Sequence, residues 1–117
     1  MGFPSCLARV DFIFVERKNL RVLIMGSVNR EKIRAEWAVR GFSCGLWVDP
    51  PGQVWADFVH DTDELVMLLD GEEEFEMGGR KYQLKVGEEL LIPAGTYHTA
   101  RNIGETPSRW LYGYKQR

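Results

Sequence analysis

The chain contains two histidines, His60 and His98, and each sits inside a run of fixed spacings. The first run reads Gly52, five residues, Phe58, one residue, His60, three residues, Glu64, six residues, Gly71. The second reads Gly87, five residues, Pro93, one residue, Gly95, two residues, His98, three residues, Asn102. Imidazole and carboxylate are ligands for divalent transition metals, so the chemistry such runs could carry is metal chemistry. Strand side chains alternate between faces, so Phe58 and His60 on one strand point the same way. By that parity Asp61 and Asp63 turn away from His60, and Thr62 is a poor ligand. The Pro93-Ala94-Gly95 turn delivers His98 onto a different strand.

Together the two runs resemble the two motifs of the cupin family, a double-stranded β-helix or jelly-roll barrel. The family's first motif has two histidines one residue apart and then a glutamate; its second supplies a third histidine. This chain keeps every marked position but one, because Phe58 stands where the first histidine belongs. The resemblance spans about the C-terminal two-thirds of the chain. It implies that His60, Glu64 and His98 converge inside the barrel as a facial triad, with open positions on a divalent metal for water, oxygen or substrate. Fe(II) suits that set best, and Mn, Ni, Co or Zn are compatible. Phe58 removes one nitrogen donor and brings an apolar ring into the cavity, which weakens metal affinity. If no metal is held, the two histidines are ordinary polar barrel residues.

The rest of the chain must position these residues. Val10–Val15 and Leu20–Ile24 are β-branched and aromatic, with a polar break between them that suggests a loose hairpin. Met25-Gly26-Ser27 reads as a fresh start, which divides the chain into an N-terminal β extension or arm (1–24) and a barrel domain (25–117). One short helix is expected near residues 29–39, capped by Asn29 or Ser27, stopped by Gly41, and packing Trp37 and Ile33 inward. Glu36 and Arg40 are placed to pair on its exposed side.

After Gly41 the reading is all-β. Strands are expected at Phe42–Val48, Val54–His60, Glu64–Leu69, Glu73–Met77, Lys81–Lys85, Glu89–Ile92, His98–Asn102 and Arg109–Tyr114. Asp49-Pro50-Pro51-Gly52 is a hard turn. Short strands with frequent turn signals mark a sandwich or barrel rather than a parallel α/β sheet. The run Glu72-Glu73-Glu74 reads as a solvated hairpin and Asn102 as the holder of a turn or of His98. Cys44 reads as a small buried hydrophobe, or a thiol near the site; Arg101 and Arg109 read as surface residues, or partners of a substrate carboxylate.

Composition excludes several classes. With 117 residues and a formal charge of −2, the chain fits one domain and has no field to gather nucleic acid or anionic membrane. No stretch approaches a membrane span and no signal-peptide pattern is present, so a cytoplasmic location is expected. Cys6 and Cys44 form no metal-finger spacing and read as reduced thiols.

Two functions from different classes remain. One is a metal-dependent enzyme of oxygenase, isomerase or lyase type acting on a small organic molecule, with His60, Glu64 and His98 as ligands. The other is a non-catalytic module that binds a small molecule or a metal, or a scaffold that uses the barrel to dimerise. A homodimer, with the N-terminal strands at its interface, is expected in each case.

Overall fold

The computed structural model describes residues 28–117. The expectations for the 1–24 arm, its hairpin and a start at Met25 lie outside the described residues.

Helix α1 spans Arg30–Val39. Asn29 caps it, its side chain accepting from the Lys32 N–H at 3.1 Å. At the other end Gly41 (φ 90°) turns left-handed, and the N–H groups of Gly41 and Phe42 return to the Ala38 and Trp37 carbonyls. That double return is the closure that a C-terminal glycine permits. The anticipated Glu36–Arg40 pair is replaced by a tighter one. Arg40 forks onto Glu89 at 2.9 and 2.7 Å, and the same carboxylate accepts the Trp37 indole N–H at 3.0 Å. A planar two-oxygen acceptor beneath the helix outcompetes a solvated neighbour on it.

Eight strands follow: β1 (Gly45–Asp49), β2 (Val54–Phe58), β3 (Glu64–Asp70), β4 (Glu73–Met77), β5 (Arg80–Gln83), β6 (Glu89–Ile92), β7 (His98–Asn102) and β8 (Ser108–Tyr114). They form two antiparallel four-stranded sheets, β1-β8-β3-β6 and β2-β7-β4-β5. Among the described residues this is the all-β jelly roll with one short helix that the sequence predicts.

The first sheet is covered on both faces, which explains the unbroken buried run Glu64–Leu69 on β3. Leu65, Met67, Leu69 and Leu111 face outward against Trp37 of α1. Val66, Leu68 and Trp110 face inward, against Phe75 and Ala100 of the second sheet. Gly113 is required where helix and sheet touch, because a Cβ there would run into the Ser43 carbonyl oxygen and lie 2.8 Å from the Trp37 ring. The outer face of the second sheet is polar: Arg101 bridges Glu74 and Glu76 at 2.9 and 2.7 Å.

Strand β2 ends two residues earlier than expected. The register shifts between Trp55 and Phe58, where Asp57 takes φ 58° and its N–H finds Thr99 Oγ1 at 3.1 Å. Such a bulge lets Trp55 and Phe58, three positions apart, both face the interior. The φ is positive at an aspartate, one of the few side chains that tolerate it.

Candidate metal centre

At one end of the barrel the inward side chains of Glu64, Tyr114, Phe58 and His98 occupy a single layer. The register sets Glu64 opposite Tyr114, and Phe58 opposite His98. His60 lies just past the bulged strand, and its carbonyl accepts the Gly95 N–H at 2.8 Å, which ties it to the turn ahead of His98. Asp63 caps the same turn from outside, accepting the Ala94 N–H at 2.8 Å. Residues 59–63 lie between strands, so strand parity does not govern Asp63 relative to His60.

His60 Nε2 and His98 Nε2 each stand 3.4 Å from the same oxygen, Oε1 of Glu64. One donor atom from each of the three residues lies within 4.8 Å of the others. Glu64 Oε1 is buried and has no hydrogen-bond partner. A buried carboxylate oxygen is costly in that condition, so its environment calls for a cation or a proton. The Nδ1 of His98 meets the Thr96 carbonyl oxygen at 2.9 Å. When Nδ1 carries the hydrogen and donates it there, Nε2 is left to face Glu64, as in metal-bound histidines fixed by a backbone carbonyl. The Glu64 carboxylate raises the His98 pKa, burial opposes the rise and the Thr96 carbonyl adds to it. Donors about 2.0–2.2 Å from an ion lie roughly 3–3.5 Å from each other, so the shared 3.4 Å spacing fits a divalent metal.

Phe58 lies beside this cluster, its ring 6.4 Å from that of His60 and nearly parallel to it, and 6.5 Å from that of His98. Tyr114 packs edge-on against His60 with centroids 5.0 Å apart. Burial first, then the Glu64 charge and Tyr112, push its hydroxyl up to about 12. A cavity of about 720 Å³ opens above, lined by Val59, His60, Asp61, Thr62, Gly95 and Tyr114.

The other sequence candidates lie elsewhere. Cys44 packs on the outer face with the helix, away from the cavity. Arg101 is committed to Glu74 and Glu76, and Arg109 to Asp70. Asn102 holds a turn, donating to the Asp49 and Thr106 carbonyls and accepting from the Gly104 N–H.

The opposite end of the barrel holds a group that sequence reasoning missed. Asp49, fully buried, accepts the indole N–H groups of Trp47, Trp55 and Trp110 at 2.8, 2.8 and 3.2 Å. Glu73 is no part of a solvated hairpin: it is fully buried and takes the Ser108 hydroxyl at 2.6 Å. Its pKa is pushed up to about 8, by burial first and by hydrogen bonding to Asp49, with Ser108 opposing. The available signal was the indoles themselves, since a buried tryptophan N–H needs an acceptor.

Comparison with known proteins agrees with this architecture. Residues 45–114 match the cupin domain family, and the chain belongs to that family. A curated relative, the polyketide synthase CurC of Streptomyces cyaneus, is 29% identical over 76 residues, which cover 64% of this chain. The match spans only 49% of that relative's length. Among solved structures, a protein from Thermus thermophilus is 26% identical with a TM-score of 0.58, over 65% of this chain and 74% of its own. A predicted oxalate decarboxylase from Thermotoga maritima, 23% identical, shares the fold with a TM-score of 0.59 over 70% of this chain and 73% of its own.

Proposed function

We propose that this cupin is a small metal-dependent enzyme of oxygenase, isomerase or lyase type that acts on a small organic molecule. His60, Glu64 and His98 would hold the metal, with Fe(II) favoured and Mn, Ni, Co or Zn compatible. The observation that carries the reading is the orphaned buried Oε1 of Glu64, approached equally by two imidazole nitrogens.

A metal bound there supplies Lewis acidity or oxygen activation. The chain's own residues set the conditions. The Thr96 carbonyl anchors Nδ1 of His98, and Nε2 faces Glu64. The Phe58 ring lies beside the cluster, against His60 and His98, and gives that side an apolar surface. Tyr114 lines the cavity and stays a neutral phenol at physiological pH, able to hold a proton on its oxygen and donate it to a ligand. A homodimer belongs to this reading, supported by the exposure of Val48, Val54, Val59 and Ile103.

The apolar ring of Phe58 favours a second reading, a non-catalytic binding module. Oxygen uptake and substrate loss with Fe(II)-loaded protein, against a panel of small organic acids, separates the two. Turnover that disappears in His98→Ala supports the enzyme. Binding without turnover across the panel places the module ahead.

A further inference from the structure

Two acids close the end of the barrel opposite His60 and His98. Asp49 ends β1 in one sheet and Glu73 begins β4 in the other, and both are 0% exposed. Ser108 links them: it lies opposite Asp49 in the β1–β8 register and donates its hydroxyl to Glu73 Oε1 at 2.6 Å. Asn102, opposite Glu73 on β7, donates to the Asp49 carbonyl at 3.1 Å.

The donors present do not satisfy two ionised acids. An ionised carboxylate offers about four lone-pair sites. Asp49 fills three with indole N–H groups, those of Trp47 and Trp55 on Oδ1 and that of Trp110 on Oδ2. Glu73 receives the Ser108 hydroxyl on Oε1, while its Oε2 is buried without a partner.

No cation compensates. Among the described residues neither acid forms an ion pair with a lysine or arginine; Arg109 turns to Asp70, and Arg101 to Glu74 and Glu76. The elements packed around the pair contribute Trp55 from β2, Asn102 from β7, and Ser108 and Trp110 from β8, none of which titrates. Asp70 and Glu72, nearby in the chain, are exposed to water. A buried anion with an orphaned oxygen and no countercharge is costly. A proton on Oε2 removes that cost, because the carboxyl becomes a donor and the fourth lone-pair site of Asp49 can accept it. Burial first pushes the Glu73 pKa up to about 8; Ser108 opposes, and hydrogen bonding to Asp49 adds to the rise.

We propose that Asp49 and Glu73 share one proton, held on Glu73 Oε2 and donated to Asp49, and that its release is a pH-sensitive switch loosening this corner of the barrel. Release sends the proton to solvent and leaves two carboxylates side by side with no cation between them. Asp49 must then draw away from Glu73, and it disturbs three indoles as it does so. The β1–β2 turn is joined to the same corner, since Asn102 holds it through the Gly52 N–H, the Gln53 carbonyl and the Asp49 carbonyl.

The test follows the indole N–H resonances by NMR in protein labelled at tryptophan, from about pH 6 to about pH 9.5. Trp37 is the internal control, because its indole donates to Glu89 under α1, away from the pair. Trp47, Trp55 and Trp110 should shift together with one midpoint near pH 8, and Trp37 should not follow. Glu73→Gln keeps a neutral donor to Asp49 and cannot release a proton, so its three resonances should stay still over that range. Asp49→Asn turns an amide N–H onto Glu73, which lets Glu73 ionise at lower pH and moves the shift below the wild-type midpoint. Resonances that stay fixed in wild type, a shift of all the indoles together, or the same titration in Glu73→Gln overturns the proposal. Should either variant not fold, the wild-type spectra decide alone.

Discussion

Trp47 and Trp55, on strands of different sheets, donate their indole N–H groups to a single oxygen, Oδ1 of Asp49, at 2.8 Å each. The second oxygen takes Trp110 at 3.2 Å. One buried carboxylate thus fixes three large aromatic side chains drawn from both sheets.

Asp49→Ala leaves three indole donors without their acceptor. Hydrogen bonds to a charged group contribute about 1.5–3 kcal/mol each, and relaxation recovers part of that, so a loss of about 3 kcal/mol or more is expected. Urea unfolding measures it. Red-shifted tryptophan emission in the folded variant would report the loosened side chains, whereas a midpoint within about 0.5 kcal/mol of wild type would show that Asp49 orients nothing.

Glu73 gives the pH dependence. Its pKa in the folded protein is about 8, against an ordinary 4.5. The folded state therefore holds a proton that the unfolded chain releases between those values. The stabilisation is complete below pH 4.5 and is lost as pH rises through 8. Glu73→Gln mimics the protonated acid, so its melting temperature should stay flat from about pH 6 to about 9 while that of wild type falls. Parallel curves for the two proteins would exclude a raised Glu73 pKa.

Phe58 faces His98 across the β2–β7 ladder and stacks near His60. Phe58→His should therefore add a donor on the same side of the cluster, raise metal affinity and reduce the open positions on the ion. Calorimetric titration with Zn(II) or Co(II) checks this, and the Co(II) visible spectrum should change with coordination number. Unchanged affinity in a folded variant would place residue 58 outside ligand reach.

The barrel was legible because its signals are local. The β-branched and aromatic runs, the Pro50-Pro51 break and the glycine turns mark most strands to within a residue or two, and the resemblance of the two spaced runs to the cupin motifs implies the cluster of His60, Glu64 and His98. The misreadings came from long-range geometry. Glu73 sits in a run of three acids that looks solvated, and only its register opposite Asn102 on the inner face buries it. Asp49 looks like the first residue of a turn, and only the folding of two sheets brings three indoles to it. Arg40 had a partner four residues back, yet Glu89, 49 positions away, offers both oxygens. The bulge at Asp57 lets Trp55 face the interior alongside Phe58, which strict alternation forbids.

We propose above all that His60, Glu64 and His98 hold a divalent metal. The most direct test is metal analysis of protein purified without chelator, then loaded anaerobically with Fe(II) and desalted, for wild type beside Glu64→Gln. Up to about one ion per wild-type chain is expected, with a metal-dependent rise in melting temperature, and almost none in the folded variant. A wild-type protein that retains no metal and gains no thermal stability from it, or a Glu64→Gln protein that retains as much, would contradict the account.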